Sequence, residues 1–335
     1  MCGVRAFACP DCRHLVMFES LECLASETRL AFDWGAREMV ALRDGSACAN
    51  RELIGCNGLA GPAGLCASCA LTRTRPRDED QGRERFARAE AAKRRLMFEL
   101  LELGLPVTGY RERDRGLAFD MLNSEREGII TGHREGVITL DLAEADDAHR
   151  EKVRTEMGEP YRTLLGHLRH EVGHYYEPIL CPEASPEREH YRTLFGDERT
   201  EYQAAMDRHY EHGAPTDWPE RFVSAYATMH PFEDWAETFA HYLHIRDTVQ
   251  TAIAYGVTVA GPAISTGEQA PLYSYPAAAG VGIKGLLDAW LPMTYALNAL
   301  NRSMGADDIY PFVLSPAVIE KLGFIHQLVT EPAVP

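Results

Sequence analysis

Eight of the nine cysteines in this 335-residue chain fall within its first 69 positions: Cys2, Cys9, Cys12, Cys23, Cys48, Cys56, Cys66 and Cys69. The opening residues, MCGVRAFACPDC, show no basic segment followed by an apolar one, so no secretory signal is read and a cytoplasmic location is expected. Thiols stay reduced in that compartment, and their clustering then points to metal rather than disulfides. Cys9-Pro-Asp-Cys12 and Cys66-Ala-Ser-Cys69 are C-x2-C knuckles, turns that let two thiolates grip one Zn2+. The simplest partition gives Cys48, Cys56, Cys66 and Cys69 to one complete site and leaves Cys9, Cys12 and Cys23 to another. Spacing alone leaves an interleaved partition open. No βαβ pattern surrounds the knuckles, which argues against a thioredoxin-like redox role.

Composition changes near residue 75, where the charged segment RTRPRDEDQGRER leads into a helical pattern. The expected division is a cysteine-rich domain over 1–75 and a larger domain over 76–335. Phe86, Leu96, Met97, Leu100 and Leu103 recur at helical spacing before Gly104, which predicts a helix over 84–103. Short β-branched runs at 117–122, 128–132 and 136–142, separated by glycine-containing turns, predict a small sheet with HREG as a hairpin connection. Helical patterns follow from 147 to 176 and from 219 to 255, then a long loop over 258–282. A helix from about Lys284, with a kink expected at Pro292, and a terminal helix within VLSPAVIEKLGFIHQLV complete the reading.

Fifty acidic against 34 basic residues give a net charge of -16, which opposes general nucleic-acid binding because that affinity comes from basic side chains displacing counterions. No run approaches the ~18 apolar residues of a membrane span, so no membrane partner is expected.

The string GHLRHEVGHYYEP carries the chemistry. On a helix His170 and His174 lie one turn apart on one face, where both imidazoles can reach one Zn2+, and Glu171 projects beside them to take a proton from a water on the metal. A catalytic zinc needs a third protein ligand. In SAYATMHPFEDWAETFAHYLH the residues Glu233, Glu237 and His241 are spaced i, i+4, i+8, so a helix presents them in a row, and one of them should face the metal. Glu233 as ligand, with Glu237 holding the free N–H of a ligand histidine, is the preferred assignment. His167 and His230 are read as structural or supporting histidines, and Cys181 as a buried thiol.

HEVGH followed by Glu-x-x-x-Glu on a second helix resembles the gluzincin zinc proteases, and HPFEDWAETFAHYLHI resembles bacterial zinc-binding metallopeptidases that carry an N-terminal zinc ribbon. The segments LTRTRP, LFGDER and PFVLSP share this resemblance, which extends over most of the chain. It implies an α+β protein: a small zinc ribbon preceding a mainly helical zincin-like domain with a small β-sheet. It also implies that Glu233 opens the ExxxE pair as metal ligand and that Tyr226, seven residues earlier, donates to the developing oxyanion. Where related ribbons repeat the knuckle, this chain reads Cys23-Leu-Ala-Ser26, a departure that bears on the first cysteine site.

The function expected is therefore zinc-dependent peptide hydrolysis with Glu171 as general base, one catalytic and one or two structural Zn2+ ions, and a peptide or protein substrate. The ribbon offers a surface for a protein partner, either recruiting substrate or limiting access to the cleft. The rival readings are a zinc-stabilised binding scaffold with a silent HEVGH site and a non-peptide amidase.

Overall fold

In the computed structural model, which describes residues 6–76, 82–123, 131–146, 163–260, 272–273 and 282–331, the cysteine-rich head is built from short antiparallel pairs. Strand β1 (Phe7–Ala8) pairs with β2 (Leu15–Val16), and β3 (Leu30–Asp33) pairs with β4 (Glu38–Ala41). A single turn of helix, α1 (Arg51–Ile54), ends on Gly55. So small a head has little apolar surface of its own, and its aromatic cluster of Phe7, Phe18, Phe32 and Trp34 is completed by Phe98. Phe98 comes from α2 (Arg83–Glu102), which buries Phe86, Leu96, Met97 and Leu100 and is followed by Gly104 in a left-handed conformation.

The sheet is four-stranded, in the order β5 (Thr72–Thr74), β6 (Ala118–Leu122), β8 (Val137–Asp141), β7 (Gly132–Arg134). Strand β6 runs parallel to both β5 and β8, and β7 is antiparallel to β8. The β7–β8 turn is the two residues Glu135 and Gly136, at φ 50 and 86. Two positive φ values match the twist of a tight hairpin, and a Cβ on Gly136 would stand 2.3 Å from the Arg115 carbonyl oxygen. The run expected over 128–132 thus contributes Gly132 to a strand reaching Arg134, and residues 128–130 lie outside the described ones.

Helix α3 (Leu164–Leu180) carries the HEVGH string and continues past Tyr176 through Pro178, whose missing N–H forgoes only one bond in the last turn. The chain divides into two compact units at this helix: the described residues up to Tyr175 form one, and those from Tyr176 onward the other. The compositional break near 75 does not coincide with that division, because β5 pairs with β6 across the charged segment.

In the second unit, α4 (Pro186–Phe195) starts from a Ser185 cap with proline at its first position, and α5 (Tyr202–His212) from a Glu201 cap. Two short 3-10 turns, Trp218–Glu220 and Tyr226–Thr228, occupy the start of the stretch expected to be helical from 219. The long helix begins only at Pro231: α6 (Pro231–Ala254) takes His230 as its cap, with the Phe232 N–H donating to His230 Nδ1 at 3.1 Å. Trp235, Phe239 and Tyr242 of α6 are buried, Trp235 against Phe195 of α4 and Phe239 against Tyr176. Strands β9 (Val259–Ala260) and β10 (Leu272–Tyr273) pair within the segment expected to be loop. Helices α7 (Ile283–Ser303), with Pro292 inside it, and α8 (Pro316–Thr330), capped by Ser315, close the unit. No described helix is long and apolar enough to cross a membrane.

Candidate metal centres

The head gathers its cysteines into two groups. Cys48, Cys56, Cys66 and Cys69 are all buried, with their sulfurs within 4.8 Å of one another; Cys56 Sγ lies 3.6 Å from Cys66 Sγ and from Cys69 Sγ. These separations exceed a ~2.05 Å disulfide bond and approach the ~3.8 Å edge of a tetrahedron with ~2.3 Å zinc–sulfur bonds. Backbone N–H groups also approach the sulfurs, Cys66 N–H to Cys48 Sγ at 3.3 Å and Cys69 N–H to Cys66 Sγ at 3.4 Å. Hydrogen bonds from Cys56, Cys66 and Cys69 push the Cys48 thiol far down, while the other three are pushed up. Four buried sulfurs this close can all be thiolates only beside a cation that offsets their charge. Gly58 is required beside them, since a Cβ there would stand 2.5 Å from Cys66 Cβ.

Cys9, Cys12 and Cys23 form the second group, with Cys12 Sγ 3.5 Å from Cys23 Sγ. The Cys9 thiol is lowered to about 6, chiefly by the Cys12 backbone N–H. Cys2 lies outside the described residues. Cys181 is a buried free thiol pushed up to about 12 by burial.

On α3 the rings of His170 and His174 meet nearly at right angles, and their Nε2 atoms are 3.1 Å apart. A tetrahedral ion with ~2.0–2.1 Å zinc–nitrogen bonds sets its ligand atoms ~3.3 Å apart, so the two imidazoles fit zinc without rearrangement. Glu233, on α6 of the second unit, is a buried carboxylate, as His170 and His174 are buried imidazoles. Two histidines and a carboxylate are the donor set of a hydrolytic zinc with an open position.

Glu171, also on α3, accepts a hydrogen bond from His167 Nε2 at 3.2 Å. Burial alone would raise the Glu171 carboxyl, but His167 and the charges of His170 and His174 hold it below the ordinary value. His167 in turn donates Nδ1 to Glu144 Oε2 at 2.5 Å. Burial works against its charge, yet the Glu144 carboxylate and the bonds to both glutamates raise His167 to about 9. His133, from β7, stacks against His174 at 6.4 Å and is pushed down to about 4, by burial first and then by His174. Neither Glu144 nor His133 carried a sequence signal, since each reaches α3 from the sheet side of the chain.

Around Glu233 the second unit places Tyr202 and Tyr226. Tyr202 donates to Glu233 Oε1 at 2.8 Å, a contact that no motif announced. Tyr226 sits on the 3-10 turn before α6, and burial, then the charge of Glu233, pushes its phenol far up, so it stays protonated. Tyr210 adds to the same environment. Glu237 Oε2 accepts the Ser224 hydroxyl at 2.6 Å. His241 meets the Tyr310 hydroxyl at 2.7 Å, and His230 caps α6 while its Nε2 contacts Thr200.

Residues 82–328 match the family described as "Putative zinc-binding metallo-peptidase", and residues 6–80 match a zinc-ribbon domain. The chain belongs to this family. Uncharacterized proteins of Mycobacterium bovis and of two Mycobacterium tuberculosis strains are 49% identical to it over 338 residues, covering 98% of this chain and 96% of each relative. No solved structure matches it. Fold and family agree: an α+β zinc-binding chain whose ribbon precedes a metallopeptidase domain.

Proposed function

We propose that the chain is a gluzincin-like peptidase that hydrolyses peptide bonds at a zinc held by His170, His174 and Glu233. The observation that carries this reading is the approach of the two α3 imidazole nitrogens to 3.1 Å with Glu171 as the adjacent residue. Zinc supplies Lewis acidity when bound, polarising a carbonyl and acidifying a water molecule. Glu171, next to His170, is the residue that would accept a proton from water and deliver it to the leaving amine. Tyr226, kept protonated by its surroundings, donates to the oxygen on which charge develops, and Tyr202 fixes the ligand carboxylate by its hydrogen bond. The substrate is a peptide or protein, and the head holds up to two structural ions.

Incubation of zinc-loaded full chain with a mixed-sequence peptide library, read by mass spectrometry, tests the proposal. Glu171→Gln keeps the side-chain shape and deletes the base, so zinc content should persist while cleavage falls at least ~100-fold. Equal cleavage by both proteins, or none by a wild type that holds its zinc, would overturn it.

A further inference from the structure

The head contains the same turn twice. At the first, the Cys9 N–H donates to the His14 carbonyl at 2.8 Å and the Arg13 N–H to the Cys9 carbonyl at 3.0 Å, with Arg13 at φ 63. At the second, the Cys23 N–H donates to the Thr28 carbonyl at 2.9 Å and the Glu27 N–H to the Cys23 carbonyl at 2.8 Å, with Glu27 at φ 57. Every residue of the first turn thus has a counterpart later in the chain: Cys9 matches Cys23, Arg13 matches Glu27, His14 matches Thr28. Ser26 therefore stands where Cys12 stands.

The side chains obey the same relation. Cys12 Sγ lies 3.5 Å from Cys23 Sγ, and Ser26 Oγ lies 3.4 Å from Cys9 Sγ, so each turn meets the other through equivalent pairs. The Ser26 hydroxyl has its proton directed elsewhere. Thr28 donates its own hydroxyl hydrogen to Asp11 Oδ2 at 2.6 Å, which leaves Thr28 Oγ1 to accept from Ser26 at 2.8 Å. The Ser26 lone pairs are then available on the side of Cys9, whose sulfur is grouped with those of Cys12 and Cys23.

We propose that Cys9, Cys12, Cys23 and Ser26 form a zinc site of three thiolates and one hydroxyl whose fourth position exchanges, making this the labile ion of the head. A neutral hydroxyl is a weaker donor than thiolate to a borderline-soft ion, and it leaves with no charge separation beyond the loss of one bond. Access differs too: Ser26 is exposed and Cys12 partly so, whereas Cys48, Cys56, Cys66 and Cys69 are all buried. The ion at Ser26 can take an external donor, a small thiol or a chelator, that the closed site shuts out. This inference concerns the head alone and stands independently of the peptidase reading.

Cadmium-113 NMR of the cadmium-loaded full chain, together with colorimetric release of zinc to a chelator, tests it. The wild type should show one resonance of four-sulfur character and one of three-sulfur, one-oxygen character. Ser26→Cys should move the second into the four-sulfur range and slow the fast head release by more than the ~10-fold that loss of an outer hydrogen-bond partner already changes affinity. The release phase is assigned to this site by its absence from Cys9→Ser. Two four-sulfur resonances in the wild type, an unshifted spectrum in Ser26→Cys or Ser26→Ala, or a change produced by Cys2→Ser instead, would each overturn Ser26 as the fourth donor.

Discussion

His167 bridges two glutamates: its Nε2 lies 3.2 Å from Glu171 Oε1 and its Nδ1 lies 2.5 Å from Glu144 Oε2. A ring donating at both nitrogens is an imidazolium, and the value of about 9 follows from that arrangement. Glu144 is itself fixed, since its other oxygen accepts the Thr131 hydroxyl at 2.6 Å. One oxygen of Glu171 is therefore held, while Oε2 has no hydrogen-bond partner among the described residues and is the oxygen positioned to take a proton. Glu144→Gln should weaken the bridge and lower stability by about 1.5–3 kcal/mol, the range for hydrogen bonds to charged groups. Urea unfolding of zinc-loaded protein measures this, and an unchanged midpoint would show that the bridge contributes nothing.

Glu233 and Glu237 share a face of α6 but differ in their contacts. Glu233→Ala should empty the α3 site, because it removes a proposed ligand. Tyr202→Phe deletes only the hydrogen bond to Glu233 Oε1 and should weaken zinc there by roughly 10 to 100-fold, with the fold intact. Glu237→Ala, which loses the Ser224 contact, should weaken it no more than Tyr202→Phe does. Chelator titration of the three variants ranks them, and retention of zinc by Glu233→Ala would remove Glu233 from the ligand set.

The parts legible in the sequence are those governed by local periodicity. His170 and His174 face one another because i, i+4 spacing on one helix dictates it, and the knuckles announce a zinc ribbon by their turns alone. Helix α4 is marked as well, by Ser185 and Pro186 in the cap and first positions. Helix α5 was not legible, since Ala205 is its only buried residue and no apolar stripe marks it. Glu144, His133 and Tyr202 were hidden for a different reason. Each acts through a contact with a residue more than twenty positions away, and nothing in their local sequence distinguishes them from solvated surface groups.

The same holds for the buried pair beside the closed cysteine site. Lys93 and Glu90 of α2 have fully buried side chains 2.7 Å apart, Glu90 also accepts the Thr72 hydroxyl, and its Oε2 lies 3.8 Å from Cys69 Sγ. Glu90 thus adds negative charge next to a thiolate cluster, and Lys93 is what offsets it. Lys93→Met should leave that carboxylate buried and unpaired, at about 3–5 kcal/mol of stability. Thermal unfolding of the loaded protein reads the loss; Glu90→Gln with Lys93→Met should recover part of it. A Lys93→Met protein as stable as wild type would mean that the pair contributes nothing to the fold.

Asp120 gives the fold a dependence on acid that can be isolated. It sits on β6, where Arg73 of β5 grips both its oxygens, Nε donating to Oδ1 at 3.0 Å and Nη2 to Oδ2. Burial raises the Asp120 carboxyl, but the Arg73 hydrogen bonds and charge outweigh it and hold the group below its ordinary value of 3.8. The folded protein therefore binds fewer protons here than the unfolded chain does near pH 4, and the stabilisation is fully present above the unfolded value and lost as pH falls through the folded one. Arg73 is 45% exposed, so solvent screens the pair and its contribution at neutral pH is about 0.5–1 kcal/mol. Asp120→Asn should be less stable than wild type by that amount from pH 7 down to about 4, and the two proteins should converge below it. Acid also displaces zinc from thiolates and imidazoles, but both proteins share that loss and the difference between them does not contain it. Unfolding midpoints at stepped pH supply the comparison. A gap that stays constant or widens below pH 4 would mean that Arg73 does not hold Asp120 ionised.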